Sequence, residues 1–448
     1  MLQNVIPILK AHLAEPTSRG LANAVSAAMN SGDLHEGDRL PPIRKVAEEL
    51  AVSPTTVSAA WALLARAGTI RTDGRRGTTI APRNRSGPNR YRRALDNRGS
   101  FAHDLSSGVP DPALLPNLAP ALHRLRGTSP GSYLDDPILP DLVDVLREQW
   151  PCPADRFLIT DGAMDALDQV GHGLLHFGDK VIVEHPSFPP LLDLLEATGL
   201  QPIGVGVDDD GPVVADVERV LADGPTAFFL QPRAQNPTGA ALTPTRAAAL
   251  AQLLGERNIL VVEDDSAGAV ASMPSISLGQ WRPEQTLHIR SFSKSHGPDL
   301  RLAAVSGPAS LIDTLTERRF LGQGWTSRLL QSLLLDLLTH APAIAAVDRA
   351  REVYAQRRAM VVDGLAERGI AVVGKDGLNI WLPVQDEAAA LVRLASRGIG
   401  AAAGGPFEVI RGNQPHLRVT SGLISTQQQQ IVAELADAAR VGGWASPR

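Results

Sequence analysis

Lys294 lies in a segment whose residue types could hold a phosphorylated aldehyde cofactor. Ser291 and Ser293 place small hydroxyl groups beside the lysine, and Arg301 follows seven positions after it. A lysine amine forms a Schiff base with an aldehyde, while hydroxyl groups and a guanidinium bind phosphate. This combination is what pyridoxal 5'-phosphate (PLP) requires. A surface lysine in a Ser/Gly loop is the competing interpretation, and this segment alone leaves the two equally open.

Two further polar residues follow short apolar runs. Asp264 comes after residues 260–262, and Asn236 comes after residues 228–230. A carboxylate at a strand end can pair with a protonated pyridine nitrogen, and an asparagine amide can donate a hydrogen bond to a phenolic oxygen. The competing interpretations are helix capping or loop solvation for the aspartate and a plain turn for the asparagine.

A glycine-containing turn supplies a candidate phosphate cradle. Gly162, Ala163 and Met164 follow the apolar run 157–159 and open a helical pattern. Backbone N–H groups at a helix N-terminus bind phosphate, although any strand-to-helix turn can carry a glycine. Phe188 could stack on a cofactor ring, but core packing explains a phenylalanine equally well.

These side chains need elements that bring them together, and the body of the chain alternates strand and helix patterns. Short apolar runs at 180–183, 227–230, 260–263 and 286–290 are flanked by helical patterns. This alternation predicts a mostly parallel sheet in an α/β fold. Ligand groups gather at the carboxyl ends of such strands, which is where the candidate residues fall.

The front of the chain predicts a helix-turn-helix. A helix over residues 18–30 precedes two short helices, and the second of these begins with Ser53 as its N-cap and Pro54 as its first residue. Thr55 and Thr56 then lie at an exposed helix N-terminus. Hydroxyl and N–H groups at such a position can contact phosphates or base edges.

A hairpin follows these helices. Residues 69–72 and 78–80 read as its strands, with Arg75, Arg76 and Gly77 at its tip, as in a wing that reaches a minor groove. Pro42 suits the first helical turn of the first of the two short helices.

Charge is distributed unevenly between the front and the body. Residues 1–100 carry a net charge of +7 and the remaining residues −12, which gives −5 overall. A basic front on an acidic body predicts that only the front meets a polyanion. The alternative is a solvated basic linker, because six arginines fall within residues 81–100, whose Pro, Gly and Arg content is typical of a linker.

The front resembles the winged helix of the GntR family over about sixty residues. The residues that carry this resemblance include Gly37, Leu40, Pro41, Arg44, Ala47, Leu50, Val52, Ser53, Thr56, Val57, Ala60, Leu64, Gly68, Gly77 and Thr78. The candidate DNA contacts are Arg39, Arg44, Ser53, Thr55, Thr56, Arg75, Arg76 and Gly77. A helical oligomerisation module is the alternative.

The body resembles fold-type I aminotransferases from about residue 107 to Arg418. Four residues occur in that family's order and at about its intervals, namely Asn236, Asp264, Lys294 and Arg301. The resemblance implies that Lys294 forms the Schiff base, Asp264 pairs with the pyridine nitrogen and Asn236 contacts the ring hydroxyl. It also implies a ring-stacking and phosphate-binding set of Phe188, Gly162, Ala163, Met164, Ser291, Ser293 and Arg301.

The same resemblance implies two outer contacts and shows one departure. Tyr133 looks like the tyrosine that reaches the phosphate of the other subunit. Arg418 looks like the arginine that clamps a substrate carboxylate, and Gly108 is assigned with it to a substrate or effector. Two residues after Asp264 the family usually places a tyrosine on the ring hydroxyl, and here the residue is Ser266. This change leaves PLP binding expected and puts efficient transamination in doubt.

A winged helix fused to an aminotransferase-like body resembles the MocR subfamily of GntR regulators. The resemblance implies a dimeric transcription factor that binds DNA and PLP, and senses PLP or an amino compound through the Schiff base at Lys294. Two alternatives remain open. One is a working aminotransferase that carries a DNA-binding domain, and the other is a regulator of vitamin B6 metabolism for which PLP itself is the signal.

Bulk composition bounds the remaining expectations. The chain of 448 residues has ordinary globular composition, with 44% hydrophobic and 20% charged residues. A single cysteine, Cys152, excludes an intramolecular disulfide framework and a cysteine-based zinc cluster. No signal peptide or membrane-spanning run is recognisable, so we expect a cytoplasmic protein. The expected domains are a winged helix at 1–80, a linker at 81–100 and a PLP-binding body at 101–448, with a smaller α+β subdomain from about residue 340.

Overall fold

A computed structural model describes residues 5–13, 15–30, 33–35, 37–66, 70–73, 77–80, 90, 101–125, 131–410, 412 and 414–442. These residues divide into two compact units. The first comprises residues 1–89 with the segments 175–180 and 192–202, and the second comprises the rest of the chain. Each unit is described by itself.

The front of the chain folds into short helices and a small antiparallel sheet. The helices are α1 (Val5–His12), α2 (Ser18–Asn30), α3 (Ile43–Glu49) and α4 (Pro54–Arg66). The strands are β1 (Arg39–Leu40), β2 (Ile70–Asp73) and β3 (Gly77–Ile80), in the order β1-β3-β2. The predicted helix-turn-helix and hairpin are therefore confirmed.

The N-terminus of α4 is capped as its sequence predicts. Ser53 Oγ accepts a hydrogen bond from the backbone N–H of Thr56 at 3.0 Å, and Pro54 is the first helical residue. The predicted inner face, Val57, Ala60 and Leu64, is buried. Pro42 differs from expectation by one position. It is the N-cap residue of α3 with ψ 142°, because a residue that precedes a helix keeps an extended backbone.

Some predicted features lie outside the described residues. These are Gly68, Arg75, Arg76 and the linker 81–100, of which Arg90 alone is described.

The body contains an eight-stranded sheet with the strand order β5-β12-β11-β10-β9-β6-β7-β8. Its strands are β5 (Arg156–Thr160), β6 (Lys180–His185), β7 (Gln201–Asp208), β8 (Gly211–Pro212), β9 (Ala227–Leu230), β10 (Leu260–Asp265), β11 (Thr286–Ser291) and β12 (Ala303–Gly307). Strands β6, β9, β10 and β11 pair in parallel, whereas β12 runs antiparallel between β11 and β5.

The central strands are buried on both faces, as their continuous apolar runs require. All four residues of β9 are buried, and in β10 only the first residue is partly exposed. Helices occupy the connections. They are α5 (Ala119–Arg124), α6 (Pro140–Glu148), α7 (Ala163–Gly173), α8 (Pro189–Ala197), α9 (Val214–Leu221), α10 (Pro244–Leu254), α11 (Ser293–His296), α12 (Ala309–Phe320), α13 (Arg328–Thr339) and α14 (Ala341–Ala366). The predicted α/β class is confirmed.

After α14 the chain builds smaller sheets on a second core. One sheet is antiparallel, with the order β13-β16-β15, and another is the parallel pair β14-β4. The elements are β4 (His103–Asp104), β13 (Ile380–Pro383), α15 (Glu387–Ser396), β14 (Ile399–Gly400), β15 (Ala402–Ala403), β16 (His416–Val419) and α16 (Gln428–Ala439). The end of α14 packs into the same core through Val361 and Leu365.

Within the described ranges, no single helix is both long and apolar enough to cross a membrane. The helices α13 and α14 meet that length and composition only as a pair bent by 75°.

The cap of α4 gives a direct test of the front. We expect Ser53→Ala to lower the free energy of opening of α4 by about 1 kcal/mol, because the Thr56 N–H loses its acceptor. Hydrogen exchange of peptides from residues 54–66, measured by mass spectrometry on the full chain, reports this opening. Ser58→Ala, on the exposed face of the same helix, is the matched control. Equal changes in both variants would show that the cap does not stabilise the helix.

Candidate functional site

Lys294 is the second residue of α11, directly after the buried strand β11. Its Nζ lies 3.3 Å from Ser266 Oγ, just beyond the end of β10. Burial lowers the pKa of Lys294, and the positive charge of Arg418 adds to this, whereas the Asp264 carboxylate opposes it. A lowered pKa keeps more of the amine neutral, which is the nucleophilic form.

Asp264 lies near the carboxyl end of β10 and is buried. Its Oδ2 accepts a hydrogen bond from Gln231 Nε2 at 2.7 Å. Among the described residues, its other oxygen, Oδ1, is buried and has no hydrogen-bond partner. Burial raises the pKa of Asp264 to about 6, while the Gln231 bond and the charge of Lys294 lower it. A buried carboxylate oxygen of this kind needs a donor, and a protonated pyridine nitrogen is one.

The neighbouring carboxylate, Asp265, belongs to a different set of contacts. Arg233 meets it with two parallel hydrogen bonds, Nε to Oδ1 at 2.9 Å and Nη2 to Oδ2 at 2.8 Å. Arg290 Nε lies 3.5 Å from Oδ2, and His288 Nε2 lies 3.9 Å from it. Although burial opposes them, the guanidinium groups of Arg233 and Arg290 hold the pKa of Asp265 well below its ordinary value, with Arg233 the largest contributor. The two adjacent aspartates therefore serve separate purposes.

Asn236 follows β9 and is buried. Its backbone N–H donates to Gln231 Oε1 at 2.7 Å. In the described part of the chain, its side-chain Oδ1 is buried without a partner, so no protein group there holds this end of the amide. This oxygen is therefore left for a donor outside the described residues.

The turn before α7 has the geometry of an anion cradle. Gly162 has φ 102°, and an added Cβ would lie 2.8 Å from Arg301 Nη2. Arg301 Nη2 also donates to the carbonyl oxygen of Asp161 at 3.1 Å. Ala163 and Met164 begin α7, where backbone N–H groups lack helical partners. Glycine is favoured here because the φ of 102° strains other residues, and an added Cβ would also displace the Arg301 guanidinium.

The hydroxyl groups beside Lys294 in the sequence belong to Ser291 and Ser293, which differ in burial. Ser291 is buried at the end of β11, and its Oγ accepts from the backbone N–H of Ser293 at 3.3 Å. Ser293 is partly exposed. Taken with the unpartnered Oδ1 of Asp264, the lowered pKa of the Lys294 amine and the turn at Gly162, these residues fit PLP.

Arg418 lies on β16 and is buried. It donates to the carbonyl oxygen of Ser106, and its guanidinium carbon lies 5.3 Å from the ring centre of Phe407. Gly108 has φ 68°, and a Cβ there would lie 2.8 Å from Arg418 Nη1. The structure thus brings Gly108 and Arg418 together, as expected for the two residues assigned to a substrate or effector.

The remaining predicted ligand residues are Phe188 and Tyr133. Phe188 is partly buried directly before α8. Tyr133 is 89% exposed, and its ring meets Trp325 edge-on at 5.7 Å.

The predicted DNA contacts lie around α4 and the small sheet. Arg44 and Thr55 are exposed. Ser53 Oγ lies 2.6 Å from Thr55 Oγ1 and 2.8 Å from Thr56 Oγ1, so the three hydroxyls form one cluster at the start of α4. At the wing, Arg39 Nε would lie 3.1 Å from a Cβ at Gly77, whose φ is 86°. Arg75 and Arg76 fall outside the described residues.

Comparison with known proteins agrees with both halves. Residues 17–80 match the family described as bacterial regulatory proteins, gntR family, and residues 103–435 match aminotransferase class I and II. The vitamin B6 salvage pathway transcriptional repressor PtsJ of Salmonella typhimurium is 36% identical over 379 residues, which cover 82% of this chain and 85% of that protein. The chain belongs to the MocR subfamily of GntR regulators.

Two other similarities bear on this MocR-type regulator. The pyridoxine biosynthesis transcriptional regulator PdxR of Corynebacterium glutamicum is 28% identical, with coverage of 79% of this chain and 80% of that protein. The crystal structure of LysN, the alpha-aminoadipate aminotransferase of Thermus thermophilus, superposes with a TM-score of 0.68 at 24% identity, and covers 78% of this chain and 94% of that one. The latter similarity establishes the fold.

Sequence reasoning missed two buried residues of this regulator's site. Gln231 follows β9, where its side chain bonds both Asp264 and Ser266. Glu184 lies in β6, where its Oε2 accepts from the Gln231 backbone N–H at 3.0 Å and from Gln235 Nε2 at 3.3 Å. Their one sequence signal is a polar residue at the carboxyl end of a buried parallel strand.

A third missed residue supports the phosphate cradle. Arg319, on α12, is fully buried and reaches Asp165 Oδ2 at 2.5 Å and Asp161 Oδ2 at 3.3 Å. Asp165 Oδ2 also accepts the Asp161 backbone N–H at 2.9 Å. These bonds hold the turn that precedes Gly162.

The two adjacent aspartates should respond differently to neutralisation. We expect Asp265→Asn to destabilise the PLP-free protein by about 3–5 kcal/mol, because Arg233 and Arg290 would be left buried without their counter-charge. Asp264→Asn, the matched control, should cost much less because the asparagine oxygen still accepts from Gln231. Urea unfolding followed by circular dichroism measures both. Similar losses would contradict the assignment of separate purposes.

Glu184 predicts a pH dependence of stability. Burial raises the pKa of Glu184 to about 8, so the folded protein holds this proton more tightly than the unfolded chain does. Its contribution should therefore favour folding at low pH and decline as the pH rises from about 4.3 to about 8. We expect Glu184→Gln to remove that decline and to be more stable than the wild type at pH 8. A decline that persists in unfolding curves of this variant would exclude Glu184 as its source.

Proposed function

We propose that this MocR-type regulator binds operator DNA through its winged helix, holds PLP at Lys294 and changes its DNA affinity when PLP binds. The observation that carries the proposal is the buried Oδ1 of Asp264, which lacks a partner among the described residues and lies at the end of a strand beside Lys294. The winged helix supports the DNA-binding part of the proposal, because a ligand-binding domain fused to a DNA-binding domain can couple ligand binding to DNA binding.

The residues at the site would divide the work as follows. Lys294 Nζ, with its lowered pKa, is the nucleophile, and the Asp264 carboxylate would hold a proton on the ring nitrogen. The Asn236 amide would donate to the ring hydroxyl, and the turn at Gly162 with Arg301 would hold the phosphate. When bound, PLP supplies an aldehyde that condenses with an amine and a ring that withdraws electrons. The Ser266 hydroxyl, 3.3 Å from Lys294 Nζ, would orient that nitrogen.

We favour PLP itself as the signal. PtsJ is described as a vitamin B6 salvage repressor and PdxR as a pyridoxine biosynthesis regulator. An amino compound that exchanges onto the lysine-bound cofactor would act at the same place. Arg418, which is expected to clamp a carboxylate, would bind the carboxylate of that compound. Regulation then follows from linkage, since a ligand shifts DNA binding only by its different affinities for the DNA-bound and free states.

A working aminotransferase is the second candidate. The complete set of Asn236, Asp264, Lys294 and Arg301, together with buried Arg418, supports it, and the match to aminotransferase class I and II covers the whole body. Ser266 counts against it, because a serine hydroxyl is shorter than the tyrosine usual at that position. Turnover of an amino acid with a keto acid by the PLP-loaded protein would favour this candidate.

The proposal includes a homodimer that works in the cytoplasm. Tyr133 and its neighbour Leu134 are 89% and 95% exposed, which suits residues that meet a second copy of the chain. The proposed domains are the winged helix at 1–80, the linker at 81–100 and the PLP-binding body at 101–448, with the smaller subdomain from about residue 340.

Anisotropy of DNA from the gene's own upstream region tests the regulatory proposal. We expect PLP to produce a visible absorption band and to change DNA affinity about fivefold or more. Lys294→Ala should lose both responses. Lys375→Ala, at an exposed lysine paired with Asp210, is the matched control and should keep both. A full PLP response in Lys294→Ala would refute the role of Lys294, and a band without any change in DNA affinity would refute PLP as the signal.

A further inference from the structure

We infer that Gln231 is a positioning residue that sets how tightly the Lys294 nitrogen holds its proton, by fixing Asp264 and Ser266 in one arrangement. The inference deepens the proposed PLP site and rests on it. Gln231 is not one of the residues expected to contact PLP, but it bonds Asp264 and Ser266 within the site.

The Gln231 amide is held at both ends. Its Oε1 accepts the backbone N–H of Asn236 at 2.7 Å, and its Nε2 donates to Asp264 Oδ2 at 2.7 Å and to Ser266 Oγ at 3.1 Å. A backbone N–H can only donate, so it fixes which end of the amide is the oxygen. The two hydrogens of Nε2 are then directed to the carboxylate and the hydroxyl. One side chain thereby connects Asp264, expected at the ring nitrogen, with Ser266 and with the backbone of Asn236, the residue expected at the ring hydroxyl.

The backbone of Gln231 is also anchored. The residue is buried at the end of β9, and its N–H donates to Glu184 Oε2 at 3.0 Å. Glu184 in turn accepts from Gln235, which donates a second bond from Nε2 to the carbonyl oxygen of Pro186 at 2.8 Å. The amide therefore has little freedom to follow its partners if they move, and instead it defines where they lie.

The bond to Asp264 acts on charge. Burial raises the pKa of Asp264, and the hydrogen bond from Gln231 is the largest influence in the opposite direction. Without that bond the carboxyl group would keep its proton to higher pH. A neutral carboxyl group no longer holds a proton on the ring nitrogen, because the favourable charge pairing is lost.

The bond to Ser266 acts on orientation. Ser266 Oγ accepts hydrogen bonds from both Gln231 Nε2, at 3.1 Å, and Lys294 Nζ, at 3.3 Å, so its oxygen joins the two side chains. A longer tyrosine would approach the ring hydroxyl directly. Here Gln231 and Ser266 together connect Asp264 to the lysine nitrogen.

The direction of the effect follows from electrostatics. A positive ring nitrogen disfavours a second positive charge at the Lys294 nitrogen of the same conjugated group. Loss of Gln231 weakens the charge on Asp264, and with it the proton on the ring. The Lys294 nitrogen should then keep its proton to higher pH, and the pH midpoint of the visible absorption change should rise.

The experiment records visible absorption against pH for the full-length protein loaded with PLP. Gln231→Met keeps the length of the side chain and removes its hydrogen bonds. Gln331→Met is the matched control. Gln331 is equally buried and also makes three bonds, accepting from the backbone N–H of Leu139 at 3.1 Å and donating to the carbonyl oxygens of Pro137 and Thr326 at 2.8 Å each. None of its partners belongs to the expected PLP contacts.

We expect the midpoint of Gln231→Met to rise by about half a unit to one unit, given the usual net contribution of a hydrogen bond. The midpoint of Gln331→Met should stay at the wild-type value. An unchanged midpoint in Gln231→Met, or an equal change in both variants, would overturn the inference. Absence of the band in the wild type would instead overturn the proposed PLP site. Should Gln231→Met fail to fold, Gln231→Asn, which shortens the amide by one methylene, should show the same rise, and an unchanged midpoint there is equally decisive.

Discussion

The organisation of the site depends on the cost of burying negative charge at the end of a parallel sheet. A carboxylate removed from water must meet cations or donors, or else keep its proton. Asp265 meets Arg233 and Arg290 and stays charged. Asp264, one residue earlier, receives one bond from Gln231 and retains a bare oxygen within the described structure. Within the described residues the protein satisfies one aspartate itself, and in the proposed site the ligand would satisfy the other.

The features that could be predicted from the sequence are those that short segments of the chain determine by themselves. Local signals identified the elements. Ser53 caps α4 by accepting the backbone N–H of Thr56, which lies close to it in the sequence, and the apolar runs of the buried strands are continuous. The order of Asn236, Asp264 and Lys294 indicated the kind of site, because each residue comes shortly after the end of a predicted strand. These signals are contained in short segments, so a single sequence shows them.

The remaining features depend on contacts between distant segments. Gln231 and Asp264 are separated by 33 positions, and Arg319 reaches Asp165 across 154. A glutamine after a strand or an arginine in a helix has no pattern that marks it as a support for a site. The resemblance selected Asp264 over Asp265, but the physical reason, the ion pairs of Asp265 with Arg233 and Arg290, is visible only in the structure.

The replacement of a tyrosine by Ser266 bears on whether such a site catalyses or senses. Catalysis requires interactions that strengthen in the transition state, whereas sensing requires only that bound and free states differ in affinity for a second ligand. A short hydroxyl held by Gln231 beside Lys294 satisfies the second requirement, since it can orient the lysine nitrogen without a direct bond to the ring hydroxyl. Under the proposed function, the loss of one ring contact would therefore cost the regulator little, and the chemistry proposed at Lys294 would still report whether the cofactor is present.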